Sequence, residues 1–232
     1  MQAIRKKVLV TGLLDKALEA RIAAHHEVNV VPFISIEPVL PEVLRPELEA
    51  LLRRQLHVVF TSGNAVKAVA AATGGIAPNW KLFSIEGVTS KSVAAHFGAE
   101  RLAGTAFSGA ELADVITGSG DVQEVVFFCG DLRRDELPGM LVNSNIAVHE
   151  IVVYHTVATP SRVDSHYDAI LFFSPSAVES YLRQNKINEE AVCFAIGNTT
   201  ADSIKNIVAN TVLVAHPPQK EKLVDMLLAY YN

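Results

Sequence analysis

The sequence predicts an α/β protein of two similar halves, each a doubly wound parallel sheet covered by helices, with a cleft between the halves suited to an anionic small molecule. Three observations carry this. Short apolar runs rich in Val, Ile and Phe alternate with longer stretches of helical periodicity, the pattern of strands buried under helices on both faces. Of the 232 residues, 50% are hydrophobic, enough for one large core or two small ones. An internal repeat also recurs at a spacing of roughly half the chain.

In chain order, strands are expected at residues 7–10, 28–36, 58–61, 82–85, 125–129, 148–156, 169–173, 192–196 and 211–214, with a helix after nearly every one. Two segments break the rhythm, VNVVPFISIEPV (28–39) and AVHEIVVYHTVATP (147–160), each longer than an ordinary strand and read as connectors between domains. Pro32 cannot donate to a central ladder, so the first connector belongs at a sheet edge or in a linker ribbon.

The repeat aligns HVVFTSGNAVKAVA (57–70) with DAILFFSPSAVESYL (168–182), placing Ser62 over Ser174 and Asn64 over Ser176. It also aligns LFSIEGVTSKSVA (82–94) with CFAIGNTTADSI (193–204), placing Thr89 and Ser90 over Thr199 and Thr200 and leaving Glu86 as an extra residue. Ligands of open parallel sheets bind beyond the carboxyl ends of the strands, where helices begin with unpaired NH groups. A glycine followed by hydroxyl residues there makes a cradle for carboxylate or phosphate. Ser, Thr and Asn are equally the preferred helix caps, so one turn alone reads as a cap, whereas four at matched places favour a site.

The remaining features narrow the field. Twenty Lys and Arg against 25 Asp and Glu give a net charge of -5 without a basic run, which argues against a nucleic-acid partner. The first apolar patch, cut by Gly12 and Asp15, is too short for a signal or a membrane span, so a cytoplasmic protein with no membrane partner is expected. Cys129 and Cys193 stand inside apolar runs and imply buried thiols in a reducing compartment. The eight histidines lack metal spacing, and no dinucleotide, P-loop or nucleophile-elbow motif is present, so no metal is expected. Ser108 and Glu111 form a capping box of structural character. Arg133 and Arg134, beside Asp131, Asp135 and Glu136, either clamp an anionic ligand or pair locally. Tyr154, on the second connector, either packs or presents a phenol to the space between domains.

Taken in order, FTSGNAV (60–66), FCGDLRRDELPGML (128–141) ahead of VVYHT (152–156), FFSPSAV (172–178) and AIGNTTADSI (195–204) resemble the uroporphyrinogen-III synthase family. The closing AHPPQKEKLVDMLLAYY (215–231) resembles that family's last helix. The resemblance covers nearly the whole chain. It implies one domain from residues 1–34 and 158–232, a second from 38–151, and a two-stranded linker at 35–37 and 152–157. It implies a cofactor-free reaction in which hydroxymethylbilane, a linear tetrapyrrole with acetate and propionate arms, loses water and closes to uroporphyrinogen III with its last ring inverted. Carried over residue by residue, it gives Tyr154 the role of hydrogen-bonding or protonating the departing hydroxyl. Ser62, Asn64, Thr89, Ser90, Ser174, Ser176, Thr199 and Thr200 then hold the acidic arms, Arg134 adds charge, and the protein is a monomer. The chain departs from the family pattern at Gly12, where many members carry Arg and where Lys16 is the nearest cation in sequence. It departs again at Asn210, near a common glycine position, although Asn tolerates the same left-handed cap. Two other readings stay open: a non-catalytic tetrapyrrole-binding or regulatory domain of the same fold, and a sugar-phosphate isomerase or binding protein, for which no Glu or His base is evident.

Overall fold

The central strands form where the apolar runs stand because those runs are buried from both sides, as in VLV (8–10), AILF (169–172) and VCFA (192–195). In the computed structural model, residues 4–231 are described except 75, 77, 164 and 165. The chain divides into two compact units, residues 1–35 with 157–232, and residues 36–156.

The first unit contains β1 (Lys7–Val10), α1 (Lys16–Ala23), β2 (Glu27–Val30), β9 (Ala169–Phe172), α7 (Pro175–Leu182), β10 (Val192–Ala195), α8 (Asn198–Lys205), β11 (Val212–Val214) and α9 (Lys220–Tyr231). Its sheet runs β11-β10-β9-β1-β2, with every neighbouring pair parallel. Side chains alternate across this sheet. Leu9, Ile170, Phe172 and Cys193 pack with Val178 and Tyr181 of α7 and Ile204 of α8, whereas Val8, Val10, Leu171 and Phe194 pack with Leu18 and Ile22 of α1 and Leu223 and Leu227 of α9.

The second unit carries β3 (Ile34–Pro38), α2 (Pro41–Leu52), β4 (Leu56–Phe60), α3 (Gly63–Ala72), β5 (Trp80–Ile85), α4 (Val88–Phe97), β6 (Leu102–Ala106), α5 (Gly109–Gly118), β7 (Glu124–Gly130), α6 (Glu136–Asn143) and β8 (Ala147–Ala158). The sheet order is β3-β8-β7-β4-β5-β6, and the strands from β8 to β6 are parallel. Val126 and Phe128 of β7 face a layer made by α2, α3 and α4, and Val125, Phe127 and Cys129 face α5 and α6. Phe128 is fully buried, and cutting such a ring back to alanine costs about 3–5 kcal/mol. The chain crosses between the units inside β3 and β8, which are neighbours in the sheet.

Two expectations need correction, and one permitted conformation goes unused. The apolar run at 28–36 is two strands, β2 and β3, interrupted around Pro32, and each lies at the edge of a different sheet. β6 was not expected, because LAGTA is short and weakly apolar. It is an edge strand, and its Gly104 lets Val115 of α5 close in, since a Cβ there would lie 2.6 Å from Val115 Cγ1. Asn210 takes no left-handed conformation; among the described non-glycine residues only Asn145 does. Its side-chain amide instead donates to the carbonyls of Asn188 (2.7 Å) and Ala191 (2.9 Å), tying down the approach to β10.

Candidate functional site

Beyond the carboxyl ends of the second unit's strands lies a cavity of about 410 Å³. Ser62 reaches it from the turn after β4, Phe107 and Ser108 from the turn after β6, Leu132, Arg133 and Arg134 from the turn after β7, Glu136 from the start of α6, and Tyr154 from β8.

The seat of Tyr154 is made by strand pairing. Cys129 pairs with Val152, but the next residue, Gly130, pairs with Tyr154, so β8 carries a bulge of one residue. A Cβ on Gly130 would lie 2.4 Å from Cζ and 2.7 Å from the hydroxyl oxygen of Tyr154, so only glycine lets the ring lie across the strand. Asp131 locks the arrangement: its N–H donates to the Tyr154 carbonyl (3.2 Å), and its carboxylate accepts from the Thr156 N–H (2.9 Å) and meets His155 Nδ1 at 3.3 Å. Burial pushes the phenol above its ordinary pKa of 10, with the neighbouring Ser62 hydroxyl pulling the other way. Tyr154 is therefore protonated at neutral pH.

Ser62 caps α3, its Oγ accepting from the Asn64 N–H at 3.2 Å. The capping box is also present: Ser108 Oγ accepts from the Glu111 N–H (3.2 Å), and the Glu111 carboxylate accepts from the Phe107 N–H (3.0 Å). The two arginines part company. Arg133 donates to Glu150 and to Asp135, and these bonds, Glu150 first, raise its pKa. Arg134 is exposed and has no ion pair or hydrogen bond among the described residues. It is the cation that the cavity offers to a ligand.

Asn64, Thr89 and Ser90 do not line this cavity. Asn64 is exposed on the first turn of α3, while Thr89 and Ser90 are buried at the start of α4. The turn before α4, expected to cradle a substrate arm, already holds a carboxylate of its own. Glu86 accepts from the hydroxyls of Thr105 and Ser90 (3.1 Å) and from the Gly87 N–H (3.3 Å), and these bonds, Thr105 first, hold its carboxyl below the usual range. Ser90 is thereby spent within the fold, its hydroxyl reaching only Glu86 and the Gly87 carbonyl at 3.2 Å.

The matching turns of the first unit contain no such acid. Ser174 caps α7 through the Ala177 N–H (3.1 Å) and lies 3.0 Å from the Ser176 hydroxyl. Gly197 caps α8 without a side-chain bond; Thr199 is exposed and Thr200 buried. At Gly12 a Cβ would meet Phe173 Cδ2 at 2.7 Å, so the Phe173 ring takes the space a side chain would need. Lys220, from the far end of the sequence, donates to the Leu13 carbonyl (2.6 Å) and lies 5.1 Å from the Phe173 ring, bringing to this corner a cation that chain order concealed. Sequence reasoning also passed over Phe107, Leu132 and Glu136 as cavity residues.

Burial pushes the thiols of Cys129 and Cys193 up to about 11 and about 12, which removes them as nucleophiles at neutral pH. Among the described residues no cluster of three His, Cys, Asp or Glu side chains could hold a metal ion, and no helix is long and apolar enough to cross a membrane.

A protein-family model described as "Uroporphyrinogen-III synthase HemD" matches residues 16–225. The chain belongs to the uroporphyrinogen-III synthase family. Two solved structures of such synthases have the same fold. One, a mutant uroporphyrinogen III synthase from the extremely thermophilic bacterium Thermus thermophilus, is 17% identical with a TM-score of 0.69, covering 97% of each chain. The other, a uroporphyrinogen-III synthetase from Helicobacter pylori, is 16% identical with a TM-score of 0.65, covering 98% of this chain and 100% of the other. Comparison with curated protein sequences gives no match. Membership in the uroporphyrinogen-III synthase family makes the chain an enzyme of haem biosynthesis with a small tetrapyrrole as substrate.

Proposed function

We propose that the chain is a hydro-lyase that converts hydroxymethylbilane to uroporphyrinogen III, working as a cytoplasmic monomer without cofactor. The observation that carries this reading is the protonated phenol of Tyr154, seated across Gly130 in a cavity that also contains the unpaired Arg134. Tyr154 donates its proton to the departing hydroxyl, which leaves as water, a task for a positioned acid that stays protonated at neutral pH. The azafulvene so formed is attacked by the last ring through its substituted carbon. The resulting spiro intermediate fragments and recombines with that ring inverted, and loss of a proton completes the macrocycle. The free substrate closes without inversion, so the protein's main contribution is to hold the chain of rings in one geometry.

Arg134 takes a carboxylate arm by a charge-assisted hydrogen bond, and Ser62, which lines the same cavity at the start of α3, adds a hydroxyl. In the other unit the equivalent turns offer Ser174, Ser176 and Thr199 to an acidic arm, while Thr200 is buried. A net charge of -5 does not oppose this, because donors at helix starts act locally. Thr89 is buried, and Ser90 serves Glu86.

The test is direct: supply freshly generated hydroxymethylbilane, oxidise the products and separate the isomers. Isomer III is expected, and isomer I alone, as in the protein-free control, overturns the reading. The rate should stay flat through neutral pH and fall only above about pH 10, as the phenol ionises.

A further inference from the structure

Phe107 is 84% exposed. It immediately precedes Ser108, the cap of α5, and an apolar residue there ordinarily packs against the fourth residue of the helix as a hydrophobic staple. That residue is Leu112, which is fully buried, yet Phe107 joins no core cluster and faces no aromatic ring among the described residues. Its backbone is meanwhile fixed by the bond from its N–H to Glu111 at 3.0 Å. The side chain is thus held out on a rigid turn, lining the same cavity as Tyr154 and Arg134. Leu132, 61% exposed, lines that cavity from another turn.

A large apolar side chain left in water beside a polar cavity is accounted for when a ligand covers it. Beside Glu136 and the paired Arg133, the cavity combines Phe107 and Leu132 with the unpaired guanidinium of Arg134, a lining that suits an occupant with a flat apolar face and an anionic arm. A pyrrole ring bearing acetate and propionate arms has that combination. We infer that Phe107 is a specificity-determining contact, its ring packing on the face of one pyrrole of the linear tetrapyrrole while Arg134 takes an acidic arm of that pyrrole. This rests on the functional reading above.

The test uses the full-length protein with Phe107→Ala, Phe107→Leu and Phe107→Trp, reading KM, kcat, isomer III fraction and melting temperature. Phe107→Ala should raise KM about three- to tenfold. Phe107→Leu should fall between it and the parent, and Phe107→Trp should keep the parent KM, all with unchanged melting temperatures. In Phe107→Trp the introduced indole should also change its emission on titration with a monopyrrole carrying one acetate and one propionate arm. The buried Trp80, the parent's single tryptophan, should give no such change in the parent. An unchanged KM in Phe107→Ala overturns the assignment, as does a fall in kcat and melting temperature at constant KM. A concentration-dependent dimer that Phe107→Ala dissolves also overturns it, since the ring would then belong to a protein interface. If the parent makes no isomer III, the functional reading fails and takes this inference with it; if it does and KM is indifferent to Phe107, the inference alone fails.

Discussion

The two units share one architecture but meet an anion differently. In the 36–156 unit the turn before α4 is closed by Glu86, which collects the Ser90 and Thr105 hydroxyls and the Gly87 N–H. In the other unit the turn before α8 has no acid, and Gly197 leads into a helix start with Thr199 exposed. The first turn is filled and the second is vacant of internal charge, so equivalent places in a duplicated fold differ in what they can accept. The 36–156 unit instead has a cavity with a free cation and a seated phenol. One unit thus carries the groups suited to chemistry, and the other keeps hydroxyl and NH donors suited to holding an anion.

This contrast can be broken experimentally. The largest effect is expected at the phenol: Gly130→Val, which drives a side chain into the Tyr154 ring, should lower kcat/KM by about a hundredfold, as Tyr154→Phe should. Near-parental rates in both would remove Tyr154 from the reaction.

Next come the arginines. Arg134→Ala should raise KM roughly tenfold with no change in melting temperature, as expected for loss of a charge-assisted bond. Arg133→Ala should lower the melting temperature and move KM far less, because Arg133 is held by Glu150 and Asp135. Equal KM effects from the two would show that local pairing does not separate them.

Glu86→Gln sharpens the filled-turn side of the comparison. The Glu86 carboxyl has a lowered pKa in the folded chain, so its contribution is present above its ordinary pKa near 4.5 and lost as pH falls through the folded value. The variant should melt a few degrees lower than the parent at pH 7 and approach it as pH falls below the ordinary carboxylate range. Parallel melting curves across that range would remove Glu86 as the lock. The smallest effect is expected from Thr199→Val, a rise in KM of roughly threefold at constant melting temperature; an unchanged KM would leave the open turn without a role in binding.

The core strands were legible because burial on both faces makes each an unbroken apolar run, as in VVFFC of β7. β6 was illegible for the converse reason: an edge strand with one open side needs no such run, and Gly104 is chosen by the approach of Val115. At the site, the order of motifs singled out Tyr154 and Arg134, and the spacing of Ser108 and Glu111 identified the cap of α5. Glu86 looked like a mere extra residue in the repeat, since Thr105 reaches it only across paired strands. Lys220 was hidden in the same way, 207 positions from the carbonyl it meets.

The bulge opposite Gly130 has a wider consequence. Up to that point β8 follows one phase, with Ile151 and Val153 turned toward the layer of α2, α3 and α4, yet the very next residue, Tyr154, also packs against that layer. In coding terms the bulge is a frameshift within a single strand. The first half keeps a plain alternating pattern that anchors the strand, and the second half places a polar group on the side that this alternation would have denied it. The two messages can then vary separately, and the phenol keeps its address whatever residues the anchoring half uses to fill the core.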